Sequence, residues 1–192
     1  MRCQNWKETT MSYQFRTLRA TFNKAVEAKC VARDKSPFID FKISRFKTKT
    51  KKRALSKANV MKIINANCNH GSPLCQLAHD IFTFSYYCGG ISFVDIAGLT
   101  MQNIIEGRLI YRRQKTHGVI NITLLPQAEA IIKKYNQHQQ VAGYLFPIYD
   151  KRVHKTEMQK HNRERKLMHQ VNHELRQLAS KIGIKEEITT YV

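Results

Sequence analysis

Sixteen residues, Lys42 to Lys57, constrain this chain more than any other stretch. They include Lys42, Arg45, Lys47, Lys49, Lys51, Lys52, Arg53 and Lys57, with no acid among them. Like charges at that density repel, and no core-forming spacing runs through them. The segment is therefore expected to be extended and to separate two folded pieces. The whole chain leans the same way, with 33 Lys+Arg against 14 Asp+Glu and a formal charge of +19 over 192 residues. A domain this basic calls for a polyanion, and nucleic acid is the commonest one. In that setting a strap lying along a phosphate backbone explains the run better than a solvated spacer. A hydrophobic share of 42% supports a packed core and excludes wholesale disorder. No apolar run approaches the roughly 18–20 residues of a membrane span, and the start has no signal-peptide core, so membrane and secreted classes are set aside. Five cysteines without a CxxC pair suit reduced thiols in a cytosol.

On the amino-terminal side, Met11, Phe15, Leu18, Phe22, Ala25 and Val26 recur at helical spacing. That predicts one amphipathic helix from about Thr9 to Val31, capped by Thr9 or Thr10. Ser36-Pro37 breaks it, and Phe38-Ile-Asp-Phe41 is expected to continue extended. Beyond the basic run, Ser56 can cap a short helix. Ser72-Pro73 starts a longer one that Gly89-Gly90 stops, and Ser92 with Asp95 opens a brief third. The period then changes from helix to strand. Arg108–Arg113 and Val119–Leu125 are β-rich, with Gln114-Lys-Thr-His-Gly118 between them, which reads as a hairpin. Pro126 opens another helix. A last, long one carries Leu167, Val171, Leu175, Leu178 and Ile182, with Gly183 past its end. Ile188-Thr-Thr-Tyr-Val192 is expected to trail off.

Two constellations could carry chemistry. Cys68, His70, Cys75 and His79 supply thiols and imidazoles, but their spacing matches no zinc-finger or ribbon pattern, so buried thiols and surface histidines are favoured over a metal site. His169 and His173 on the long helix read as a wetted face. No Walker, GxGxxG or GxSxG element occurs, and no metal or cofactor is expected. The hairpin tip is more specific. Arg112, Arg113, Lys115 and His117 crowd one turn, suited to lie between phosphates, and a lysine there can deliver a proton to a leaving oxygen.

The order of helix, basic linker, Ile81-Phe-Thr-Phe-Ser-Tyr-Tyr-Cys-Gly-Gly-Ile-Ser-Phe-Val-Asp-Ile-Ala-Gly-Leu-Thr100 and a hairpin with Tyr111-Arg-Arg-Gln-Lys-Thr116 resembles the tyrosine recombinase (phage integrase) family, especially integrases of bacterial mobile elements. Asn5–Tyr13 and Leu18-Arg-Ala20 resemble the later helices of that family's core-binding domain. The resemblance implies a mainly α fold with a small antiparallel β-sheet (α+β). It divides the chain into part of a helical core-binding domain over 1–41, a linker over 42–55, and the first and central parts of a catalytic domain over 56–192. It also implies site-specific DNA recombination and integration through a 3′-phosphotyrosyl intermediate, with double-stranded DNA and other recombinase protomers in a synaptic complex as partners. The setting it implies is the bacterial cytoplasm, associated with the nucleoid. Lys115 matches the lysine that protonates the departing 5′-oxygen, and Asp95 the acidic residue that supports the fold. Lys47, Lys49, Lys51, Lys52, Arg53, Arg112, Arg113 and His117 are the remaining expected DNA contacts.

The sequence also departs from the pattern. The first catalytic arginine would fall at Gly89 or Ser92, and neither is an arginine. Thr189-Thr-Tyr-Val192 resembles the start of the second arginine box, with Tyr191 in the place of its leading histidine. No nucleophilic tyrosine is assigned, and the expectation is a recombinase truncated at both ends that binds DNA without cutting it. The alternative is a non-catalytic DNA-binding accessory protein on the same scaffold. A ribosome- or RNA-associated protein would explain the charge but not the hairpin or Ser92–Leu99.

Overall fold

The computed structural model describes residues 6–48, 54–68 and 72–190, and the chain divides into two compact units between Lys52 and Arg53. The first unit is built on α1, Glu8–Glu27. Neither Thr9 nor Thr10 caps it. Lys7 stands at the cap position in extended backbone, without a side-chain bond, and its carbonyl accepts from Thr10 and Met11. The helix also stops four residues before Val31. Lys29 takes φ 57°, and the Lys29 and Cys30 amides return to the Val26 and Ala25 carbonyls. That closure normally uses glycine, so a lysine there gives no stop signal.

Residues 37–41 do not run extended as their sequence predicts. They curl, with the Phe41 amide bonded to the Pro37 carbonyl. The curl carries Phe41 to Phe15, with ring centroids 4.8 Å apart, and Phe46 stacks on Phe15 at 5.5 Å. The first residues of the basic run are folded too. Ile43–Arg45 is a 3-10 turn with Ile43 buried, and the Lys47 amide donates to Glu8 Oε2 at 2.6 Å. Two apolar residues interspersed among the charges, Ile43 and Phe46, are enough to pull this part of the run onto α1.

The second unit is helical with one small sheet. Its elements are α2 (Lys57–Ile64), α3 (Pro73–Tyr87), α4 (Phe93–Gly98), β1 (Ile104–Ile105), β2 (Arg108–Arg112), β3 (Val119–Thr123), α5 (Pro126–Lys134), α6 (Asn136–Ala142) and α7 (Glu157–Lys181). The expected starts hold: Ser56, Ser72 and Ser92 each accept an amide three residues on, and Pro126 opens α5. Gly183 sits past α7 at φ 77°.

α3 runs through the centre and packs against α2, α4, α5 and α7. Its Ile81 and Phe84 share the core with Phe93, Phe146, Val171 and Leu175, all essentially solvent-free. The sheet is antiparallel in the order β1-β2-β3, with Leu109 opposite Ile122 and Tyr111 opposite Ile120. Leu109 and Tyr111 face the core, while Asn121 and Thr123 point outward and hold the Arg108 guanidinium at 2.6 and 2.9 Å. The last described residues do not trail off. Ile184 and Ile188 are buried, and the Thr190 amide donates to Asn172 Oδ1 at 2.8 Å.

Candidate nucleic-acid interface

The site is the connection between β2 and β3. The Arg113 amide donates to the Gly118 carbonyl at 2.9 Å, and His117, at φ 57°, donates to the Arg113 carbonyl at 2.8 Å. These bonds close the loop and turn its side chains outward: Arg112, Arg113, Lys115 and His117 are all exposed. Among the described residues no ion pair neutralises any of them. Lys115 thus occupies an exposed turn between two antiparallel strands.

Asp95 is buried in the first turn of α4 and is fully engaged. Ser92 Oγ donates to its Oδ2 at 2.7 Å, and its own amide donates back to Ser92 Oγ at 3.2 Å. Its Oδ1 accepts the Gln114 amide at 2.9 Å, tying α4 to the residue beside Lys115. Nothing in the sequence singles out Gln114, because no local signal marks a bond across 19 residues. Tyr111 lies under the same corner, and burial, with the Asp95 charge next, pushes its hydroxyl above the usual value.

A cleft of about 470 Å³ adjoins the turn. Gln114 and Gly98 line one side; Tyr144, Tyr149, Glu157 and Glu164 are among its other walls. Lys160 pairs with Glu157 at 2.8 Å and the Tyr149 hydroxyl donates to Glu164 at 3.0 Å, so this flank carries two carboxylates to one lysine where the tip is purely cationic. On α7, Arg165, Lys166, His169, His173 and Arg176 are exposed, as expected for a wetted face.

Of the basic-run residues, Lys47 is exposed in the first unit, whereas Lys49, Lys51, Lys52 and Arg53 lie outside the described residues. Gly89 and Gly90 end α3 at φ 68° and 83° and border a cleft of about 350 Å³ with Phe82, Ser85, Tyr86 and Thr190. Tyr86 is exposed on this cleft and not in the core, while Tyr111 is buried.

The thiol and imidazole cluster has a structural use. His79 Nε2 faces the Ile64 carbonyl at 3.0 Å and Nδ1 faces Asp80 at 3.4 Å, so both ring nitrogens are engaged. Cys68 and Cys75 are buried, and burial, then Cys75 itself, pushes the Cys68 thiol up to about 12. His70 lies outside the described residues. Among the described residues no three His, Cys, Asp or Glu side chains converge on a metal position.

No family model and no curated protein sequence matches the chain. Solved structures do. The Tn1549 transposon integrase in complex with circular intermediate DNA aligns over 94% of this chain and 69% of its own, at 15% identity and TM-score 0.53. A lambda integrase tetramer bound to a Holliday junction aligns over 86% of this chain and 49% of its own, at 16% identity and TM-score 0.51. The chain has the fold of the tyrosine recombinases. XerA recombinase aligns more loosely, over 73% of this chain and 47% of its own at 14% identity and TM-score 0.46. The chain spans about half the length of the XerA and lambda integrase chains. In this recombinase fold the expected α+β class stands. No described helix is long and apolar enough to cross a membrane.

Proposed function

We propose that this chain is a DNA-binding member of the tyrosine recombinases, from a bacterial mobile element, and that it grips duplex DNA chiefly through phosphates. The observation that carries the reading is the hairpin tip: four exposed basic residues, unpaired among the described residues, on a turn anchored to the core. The basic run supplies further cations, and the fold is one whose solved relatives hold DNA. In this reading residues 1–41 belong to a core-binding domain, 42–55 link it, and 56–192 form part of a catalytic domain. Lys115 is the group that protonates a departing 5′-oxygen in an intact site, and Asp95 supports it. The partners are duplex DNA and further recombinase protomers, in the cytoplasm at the nucleoid.

A specific observation favours the accessory reading for this chain alone. Gly89 and Ser92 stand where the resemblance puts the first arginine, so the charge of a phosphorane at that corner has no guanidinium from either. DNA is then held and not cut.

Binding to a duplex measured against salt tests the proposal. Each phosphate engaged adds about 0.9 to the log-log slope, so replacing Arg112, Arg113 and Lys115 by glutamine lowers the slope by about 2.7 if all three engage. Sequence preference should change little. A binding curve flat in salt, or a slope unmoved by the triple variant, overturns the reading, and stronger competition by RNA than by DNA assigns the charge to the third class.

A further inference from the structure

We propose that Arg108, at the end of β2 remote from the basic tip, is a preordered phosphate contact, and that Asn121 and Thr123 are the positioning residues that hold its guanidinium. The proposal rests on the DNA-binding reading above and carries the binding surface beyond the tip, onto the outer face of the sheet.

Side chains alternate along β2. Leu109 and Tyr111 enter the core, so Arg108, Ile110 and Arg112 stand on the opposite face. Arg112 belongs to the tip. Arg108 lies four residues back along the same face, about 13 Å away at the rise of a strand. Phosphates on one DNA strand follow each other at about 3.4 Å along the axis, so the two arginines reach different phosphates.

Unlike the tip residues, Arg108 is held in place by its side chain. From the paired strand β3, Asn121 Oδ1 accepts from its Nε at 2.6 Å and Thr123 Oγ1 from its Nη1 at 2.9 Å. Both acceptors are neutral. Among the described residues no carboxylate pairs with Arg108, although Glu106 is only two residues away. An exposed guanidinium is therefore ordered without being neutralised. The two bonds use two of the five N–H donors of an arginine, and Nη2 has no partner among the described residues. A planar cation with one edge fixed and another open suits a phosphate oxygen, to which it gives charge-assisted bonds. Ordering this long side chain before DNA arrives removes an entropic cost that binding would otherwise bear.

The test is the salt dependence of duplex binding by the full chain, with the urea midpoint and self-association measured alongside. Arg108→Gln should lower the log-log slope by about 0.9 and weaken binding about tenfold at moderate salt. Arg108→Lys keeps the charge but not the planar fork, so the slope should hold while affinity falls. Asn121→Ala with Thr123→Ala frees the guanidinium without touching its charge. Affinity should then fall about two- to tenfold at an unchanged slope, and the same pair of substitutions should do nothing further in Arg108→Gln. Lys133→Gln, an equal loss of charge on α5, should leave the slope as it is. All four side chains are exposed, so these variants should fold. If Arg108→Gln lowers only the urea midpoint, Arg108 serves the sheet alone and the proposal is overturned. It is equally overturned if the variant lowers only self-association, which would assign the guanidinium to a carboxylate of a second copy. An affinity untouched by the Asn121 and Thr123 substitutions overturns the positioning role. In each case a slope that still falls in the Arg112/Arg113/Lys115 triple variant leaves the DNA reading standing. A slope unmoved by the triple variant and by Arg108→Gln alike means that the DNA reading itself has failed.

Discussion

Replacing Asp80 by alanine should cost this protein about 3 kcal/mol, and the structure gives the working. Asp80 is only 4% exposed, yet four side chains converge on it. Lys134 Nζ and the Tyr135 hydroxyl each donate to Oδ2 at 2.7 Å, Gln76 Nε2 donates to Oδ1 at 3.0 Å, and His79 lies at 3.4 Å. Alanine strands all four donors. Tyr135 and Gln76, partly buried, lose about 1 kcal/mol each, and His79 slightly less at its longer distance. Lys134 is 44% exposed at its side chain and turns to water, so its share is discounted to about 0.5 kcal/mol. A loss of about 3 kcal/mol lowers the melting temperature by about 6–12 °C at this chain length. The urea midpoint falls by about 1.5 M for a slope of about 2 kcal/mol/M. Far-ultraviolet circular dichroism is the proper signal, because the single tryptophan, Trp6, belongs to the other unit. A midpoint within about 0.3 M of the parent would refute the reasoning, since it would mean that burial of the carboxylate cancels what its partners contribute.

The same cluster sets a pH dependence. His79 faces two acceptors, and the Asp80 bond above all holds its folded value above the ordinary one. Its contribution is complete below about 6.5, the unfolded value, and is lost as pH rises through the folded value. Burial alone would raise Asp80, but its bonds from His79, Lys134 and Tyr135 outweigh that and hold it below the usual carboxylate range. Its share is present above about 4 and disappears as pH falls through the folded value. Urea midpoints across pH should therefore fall on both sides. The fall that begins just above about pH 6.5 should vanish in His79→Gln, leaving only the later fall as the buried Cys68 and Cys88 thiols are forced toward ionisation. Persistence of the earlier fall would assign it elsewhere. On the proposed recombinase reading, Gly89 or Ser92 stands where a first arginine would be, and one such donor is worth about 3–4 kcal/mol of transition-state stabilisation. The 192-residue chain should therefore form no covalent adduct on a suicide DNA duplex. A gel-shifted adduct mapped to a tyrosine would show that another group replaces the absent arginine.

Local chemistry made much of this fold legible. Ser56, Ser72-Pro73, Ser92, Pro126 and Gly183 bracket helices because caps and fixed-φ residues act within a turn of their own position. Alternation in Val119–Thr123 disclosed the hairpin for the same reason. Elements that depend on distant partners were silent. β1 is only Ile104–Ile105, made a strand by pairing with β2 across the Glu106-Gly107 turn, and α6 follows α5 with no cap of its own. The curl at 37–41 is settled by Phe15, some twenty residues away, against the local preference after Ser36. In the site, the basic tip could be read from composition. Its anchor could not, because nothing near Gln114 reveals that Asp95 is its acceptor.

The central position of α3 also bears on how the protein is made. Eight of its residues are buried, and much of that surface is covered by α7. About ninety residues separate the end of α3 from the end of α7. At synthesis rates of about 5–20 residues per second, α3 leaves the ribosome roughly 5–20 seconds before its cover is complete. During that interval Ile81, Phe82 and Phe84 are open to solvent or to whatever else binds apolar surface. Slower translation between α5 and α7 would lengthen the exposure, so the yield of soluble protein should depend on codon speed there more than at either end.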